Sequence, residues 1–167
     1  SYLGVDIGAS GIKVVELANE GGRPCLVTYG FSDHASQKIK DVLSKPDIKG
    51  KEMANLCKEA GVSTKNVITG LPMPSVFTTL FTFSQMSDKE LEKKIESKVK
   101  KLAPMPPEDI VMDWRKASTA DKDKSVKVSV TAASKKMINE YVAVFKSAGL
   151  QLASLETESF ALIRSLL

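Results

Sequence analysis

The sequence is poor in the residues that carry most metal and nucleophile chemistry. Among its 167 residues there is one histidine, His34, and there are two cysteines, Cys25 and Cys57. Two thiols so far apart make neither a disulfide framework nor a CxxC metal site. A lone histidine in a polar loop leaves zinc enzymes, histidine-dependent triads and two-histidine iron sites without their ligands. No apolar run approaches the roughly 18–20 residues of a membrane span, and Asp6 interrupts the early apolar stretch that a secretory signal would need. Neither GxxxxGKS/T nor GxGxxG occurs, which excludes the P-loop and the dinucleotide fingerprint. There is little excess of one charge: 24 basic against 20 acidic groups, net +4. That balance is too mild and too dispersed to point to nucleic acid. A reduced, cytoplasmic setting is the expectation.

What remains is an ordinary folding composition, 43% hydrophobic and 26% charged, at a length that suits one domain or two small ones. Residues 2–7, 12–18 and 24–31 read as three strands joined by the glycine turns Gly8-Ala9-Ser10-Gly11 and Asn19-Glu20-Gly21-Gly22. Apolar residues on both parities of the second strand predict a sheet covered on both faces. A short helix is expected around Gln37–Leu43 and a clearer one over 51–60, with Met53, Leu56 and Cys57 inward and Gly61 past its end. Strands follow at 66–71 and 75–83. Composition then changes near Ser84. Ser87-Asp88-Lys89-Glu90 is a capping box, and Leu91, Ile95, Val99 and Leu102 mark the stripe of the helix it opens, which Pro104 stops. Strands at 109–117 and 125–133 flank a polar turn at 118–124. Ser134 caps a helix to 148 with Ile138, Tyr141, Val142 and Phe145 inward, followed by a strand at 150–155 and a helix from 159. That last helix is strongly apolar, so its face needs a cover, and the chain reads as stopping inside a larger fold.

The stretch with most chemistry in it is Asp6-Ile7-Gly8-Ala9-Ser10-Gly11-Ile12-Lys13. A carboxylate ends a strand, a turn of small residues follows, and a lysine stands on the next strand among Val15 and Leu17. Backbone amides of such a turn can converge on phosphate oxygens. A carboxylate beside them suits Mg²⁺ held through water, and Lys13 can neutralise phosphate charge. The plainer alternative is a β-hairpin with a glycine turn and a surface lysine.

The run Leu3-Gly4-Val5-Asp6-Ile7-Gly8-Ala9-Ser10-Gly11-Ile12-Lys13 resembles the first phosphate motif of the actin, heat-shock chaperone and sugar kinase superfamily. More narrowly it resembles the PilM family of type IV pilus assembly. Three further segments match in order: Gly70-Leu71-Pro72-Met73-Pro74-Ser75-Val76, Ala103-Pro104-Met105-Pro106-Pro107-Glu108-Asp109, and Leu155-Glu156-Thr157-Glu158-Ser159-Phe160-Ala161-Leu162. The resemblance implies an α/β, actin-like (RNase H-like) first lobe over residues 1–83. It implies an inserted α-β-β-α-β subdomain over 84–155 and a return helix over 156–167, with the second lobe absent. It implies ATP and Mg²⁺ as ligands of the full-length protein. Asp6 would be the magnesium-side carboxylate, Gly8, Ala9, Ser10 and Gly11 the phosphate turn, and Lys13 the phosphate cation. Glu158, or less closely Glu156, would lie near the attacking water; for both, an acid favoured by a helix dipole is the competing reading. Ala9 stands where actin has a serine. No second DxG occurs, so half a site is present, with weak or no ATP binding and no turnover expected from this stretch alone. The implied role is a cytoplasmic scaffold at the inner-membrane face. It would bind the N-terminal peptide of a PilN-like membrane protein and so link the pilus platform to its motor ATPases. Val76, Phe77, Leu80 and Phe81 lie near the implied peptide groove, where core burial explains them equally. The alternatives are an FtsA-like division anchor, a PilM-like cytoplasmic domain of type II secretion, and half of a superfamily kinase.

Overall fold

The computed structural model describes residues 1–8, 10–33, 43–117 and 125–166. His34, the expected turn at 118–124 and all of the expected 37–43 helix except Leu43 lie outside them. Strands β1 (Tyr2–Gly8), β2 (Gly11–Glu20) and β3 (Arg23–Phe31) come first, then helix α1 (Pro46–Glu59), β4 (Asn66–Leu71) and β5 (Val76–Ser84). Helix α2 (Asp88–Leu102), β6 (Ile110–Lys116), β7 (Ser125–Ser134), helix α3 (Lys135–Ser147), β8 (Gln151–Thr157) and helix α4 (Glu158–Leu166) follow. Contacts divide the chain into two compact units, Ser1–Pro72 with Met137–Leu167, and Met73–Lys136.

The first unit holds a five-stranded sheet of order β3-β2-β1-β4-β8. The hairpins make β3, β2 and β1 antiparallel, while β1, β4 and β8 run parallel. Alternation along β1 and β2 buries Leu3, Val5, Ile7, Ile12 and Val14 on one face. Helix α1 lies on that side: a Cβ at Gly30 of β3 would stand 3.0 Å from Ala60, 3.2 Å from Leu56 and 3.5 Å from Val14. The other face carries Tyr2, Val15, Leu17, Leu26, Tyr29 and Phe31, all exposed. The expected cover on both faces is therefore not seen. Parity showed which side chains share a face, and it carries no information on what lies over that face. Helix α4 likewise exposes Phe160, Leu162, Ile163 and Leu166. Helix α1 begins at Pro46, five residues before the expected start, with proline in the first turn where its missing N–H costs nothing.

One acid sits inside this unit. Glu16 is fully buried. Its carboxylate accepts the Ser63 amide at 2.7 Å and the Ser63 hydroxyl at 2.6 Å, tying β2 to the segment between α1 and β4. The Ser63 hydroxyl is the largest influence holding this carboxyl below the usual glutamate range; the Ser63 and Thr64 amides and Ser1 add to it, against desolvation.

The second unit is a three-stranded antiparallel sheet, β5-β7-β6, with α2 on one face. Leu91, Ile95 and Val99 pack against Phe81, Phe83, Val128, Val130 and Ala132. Lys98 lays its ammonium 5.0 and 4.9 Å above the Phe81 and Phe83 rings. The capping box at Ser87 and Glu90 forms as expected. Leu102, expected in the stripe, is exposed. Of the four residues near the expected groove, Phe81 is core, Phe77 and Val76 are partly buried and Leu80 is exposed.

The unit borders differ from the expected 84 and 155. Strand β5 pairs with β7 from Val76–Ala133 to Ser84–Ser125, so it belongs to the second sheet. Strand β8 pairs with β4, and α3 buries Tyr141, Val144 and Phe145 in the first unit. The second unit thus reads β-α-β-β instead of α-β-β-α-β. A linear reading finds strands and leaves their partners open, and partners decide the border. Within α3, Val144 is buried and the expected Val142 is exposed. Its first turn is tied by Asp109, which accepts the Lys136 amide at 3.1 Å and the Ser134 hydroxyl at 2.5 Å.

Glu16→Ala should lower stability by about 1–3 kcal/mol at neutral pH. Because the folded-state pKa is depressed, this contribution is whole above the ordinary glutamate pKa of about 4.3 and is lost as pH falls through the lowered value. Urea unfolding of both proteins should therefore show a gap at pH 7 that narrows towards pH 3.

Candidate functional site

Because β1, β4 and β8 are parallel, their carboxyl ends meet at one edge of the first unit's sheet. Ligands of open α/β sheets bind outside such ends. The edge carries most of the residues singled out from the sequence. Asp6 and Lys13 are register partners on β1 and β2. Lys13 Nζ donates to Asp6 Oδ2 at 3.2 Å, and both side chains are more than half exposed. Gly8 and Gly11 pair directly where the two strands close. Ser10 is an exposed turn residue, and Ala9 lies outside the described residues. Glu158 opens α4 immediately after β8, beside β4: a Cβ at Gly70 would stand 3.4 Å from Glu158 Cγ. Glu156, the lesser candidate, is held by Arg164 at 2.7 Å and is largely buried, which gives it a structural task.

The turn is pinned from behind. Gly11 has φ +145°, and a Cβ there would fall 1.8 Å from the Ser32 carbonyl oxygen. Only glycine fits that approach. Ser32 is held by its amide to Ile12 O at 2.8 Å and by its hydroxyl, which accepts the Ile12 amide at 3.1 Å. The same hydroxyl donates to Glu52 Oε1 at 3.2 Å, and Lys49 donates to Glu52 Oε2 at 2.9 Å. The hairpin end is thereby anchored to α1. On the other side, the buried Thr69 hydroxyl donates to Val5 O at 2.7 Å, which locks β4 to β1 just before the edge. Thr157 Oγ1 accepts the Phe160 amide at 3.4 Å and caps α4.

Tyr141 of α3 is fully buried, and its hydroxyl has no hydrogen-bond partner among the described residues. Burial pushes its pKa upward, and Glu158 and Asp6 push it the same way, so it stays a neutral O–H.

A carboxylate, an ammonium and a turn of small residues at the mouth of parallel strands suit a polyphosphate. No cluster of three or more His, Cys, Asp or Glu capable of holding a metal occurs among the described residues. A cation here would rest on one carboxylate, phosphate oxygens and water, which is how Mg²⁺ is usually held. Sequence reading missed Ser32, Lys49, Glu52 and Gly70, and counted Tyr141 only as core. The first three lay in or beside a stretch read as polar loop. Tyr141 carried a signal, because a buried tyrosine hydroxyl needs a partner.

A model of the family described as "Type IV pilus assembly protein PilM" matches residues 4–167. The chain belongs to the PilM family. A solved PilM–PilN type IV pilus biogenesis complex matches it with TM-score 0.86 and 24% identity, covering 99% of this chain and 49% of that one. The cytoplasmic domain of EpsL, an inner-membrane component of the type II secretion system of Vibrio cholerae, matches with TM-score 0.59 and 11% identity, covering 93% and 56%. The chain thus spans about half the length of each. At these identities the likeness is one of fold, and it makes this an α/β protein of the actin-like PilM architecture. The Asp6–Lys13 hairpin is the opening of that PilM-type sheet.

Gly11→Ala should destabilise the protein by roughly 2–4 kcal/mol, since it adds backbone strain to a collision. Thermal unfolding checks this, and an unchanged midpoint would mean that the turn tolerates a side chain.

Proposed function

We propose that this chain is the first-lobe part of an actin-like scaffold of type IV pilus assembly. The family match over residues 4–167 carries the reading. In this proposal the full-length protein binds MgATP at the β1–β2 turn. Lys13 gives its ammonium to the phosphates, and the amides of Gly8, Ala9, Ser10 and Gly11 line the turn. Asp6 holds magnesium through water, and Glu158 stands beside the phosphate end. Bound Mg²⁺ would neutralise phosphate charge. Phosphoryl transfer needs positioning and charge from several sides. These residues supply one side, so the chain's share is binding and shape, with weak or no turnover in the whole protein.

The unit Met73–Lys136 is proposed as the family's inserted subdomain. The partner is proposed to be the N-terminal cytoplasmic peptide of a PilN-like membrane protein, supported by the likeness to a PilM–PilN complex. No helix among the described residues is long and apolar enough to cross a membrane. That fits a cytoplasmic protein held at the inner-membrane face by partners, with the pilus platform and motor ATPases beyond them.

Calorimetric titration of MgATP into the full-length gene product should show binding that Asp6→Asn and Lys13→Ala each weaken about tenfold or more, as charged partners of phosphate do. An unreactive wild type would remove the nucleotide part of the reading. An immobilised PilN-type N-terminal peptide should retain the protein and a scrambled peptide should not; equal retention would remove the partner.

A further inference from the structure

The orphaned hydroxyl of Tyr141 lies under the phosphate edge. Helix α3 ends in a tight turn, with the Gly149 amide on Lys146 O at 3.1 Å and the Leu150 amide on Phe145 O at 2.9 Å. The chain then reverses into β8. The amino-terminal part of α3 therefore lies towards the carboxyl end of β8, where Glu158 begins α4. Helical side chains lean towards their own helix's amino terminus. That lean carries the Tyr141 ring towards the same edge. The charges felt most by its hydroxyl are Glu158, from the start of α4, and Asp6, from the end of β1. Ring and backbone are fully enclosed in the first unit.

A buried hydroxyl without a partner is costly, and native structures keep few of them. A phenylalanine would fill the same space without that cost. The usual answer is a water or a ligand that completes the bond. Two carboxylates around a neutral O–H make it a donor towards something they also hold. Magnesium keeps several waters when bound by few protein groups, so its hydration shell offers an acceptor of this kind.

We propose that Tyr141 is a positioning residue of the MgATP site, its hydroxyl donating to a water shared with Asp6 and Glu158 that joins the hydration shell of the nucleotide's magnesium. This rests on the nucleotide reading above. It assigns to a core helix a direct part in metal-dependent binding. It also predicts that the hydroxyl serves the ligand and contributes nothing to the unliganded fold.

The test compares Tyr141→Phe with wild type in the full-length gene product. Three quantities are measured: affinity for MgATP, affinity for ATP in EDTA, and the unliganded melting temperature. Tyr141→Phe should weaken MgATP about five- to tenfold, the worth of one hydrogen bond, and leave metal-free ATP unchanged. Its melting temperature should hold or rise. Equal MgATP affinities would overturn the assignment and leave the nucleotide reading standing. A melting temperature that falls would overturn it too, by giving the hydroxyl a structural partner. Equal weakening with and without magnesium would remove the hydration shell from the account. A wild type that binds no MgATP would end both readings.

Discussion

Hydrogen bonding on both edges of β1 is the constraint on which the first unit depends. One edge pairs antiparallel with β2 and the other parallel with β4. The antiparallel partner must return through a tight turn, and the parallel partners must return through crossovers, here containing α1 and α3. Turn and crossovers together put the hairpin end, the start of α4 and the carboxyl ends of three strands at one edge. A phosphate-type site at that edge follows from connectivity before any side chain is considered.

Side chains then hold the edge in place, and several of them are polar and inside the protein. Glu16, Thr69 and Lys49 are buried, and each has its bond: Glu16 to Ser63, Thr69 to Val5, Lys49 to Glu52. Buried polar groups are expensive unless paired. Paired, they specify one arrangement, because sliding any element by one residue would leave a charge or hydroxyl unmet. Ser32 shows the point at smallest scale. Its hydroxyl links the Ile12 amide to Glu52, so α1 is bonded to the turn it supports. Tyr141 is the exception in this set, since its hydroxyl is enclosed without a mate among the described residues.

The second unit is built on simpler terms. Its core is an apolar helix stripe on an apolar sheet face. Its boundary polar contacts, such as Lys116 on Asp88, are exposed and add little. The two units thus divide the labour between a polar, over-determined edge and an apolar platform.

Most elements of both units were legible along the chain. Alternation revealed β1, β7 and the Val128–Val130 face, the capping box revealed α2, and Gly61 and Gly149 marked helix ends, both with positive φ. Asp6, Gly8, Gly11 and Lys13 were legible as a group because they are neighbours in sequence, and hairpin register brings near neighbours together. Strand partnership was not legible. Strand β5 left the first sheet and β8 joined it, since hydrogen bonds between strands are chosen by tertiary contacts. The supports of the site were hidden for the same reason. Ser32 and Glu52 are 20 residues apart, Glu16 and Ser63 are 47, and Tyr141 comes to the Asp6 edge from a late helix. By itself, then, the sequence determined the α/β class, the family and the phosphate-type turn, all of which rest on local patterns. The tertiary structure alone decided which strands form which sheet, which polar groups are buried, and which hydroxyl is left facing the site. Those outcomes depend on contacts between distant segments, which no local pattern encodes.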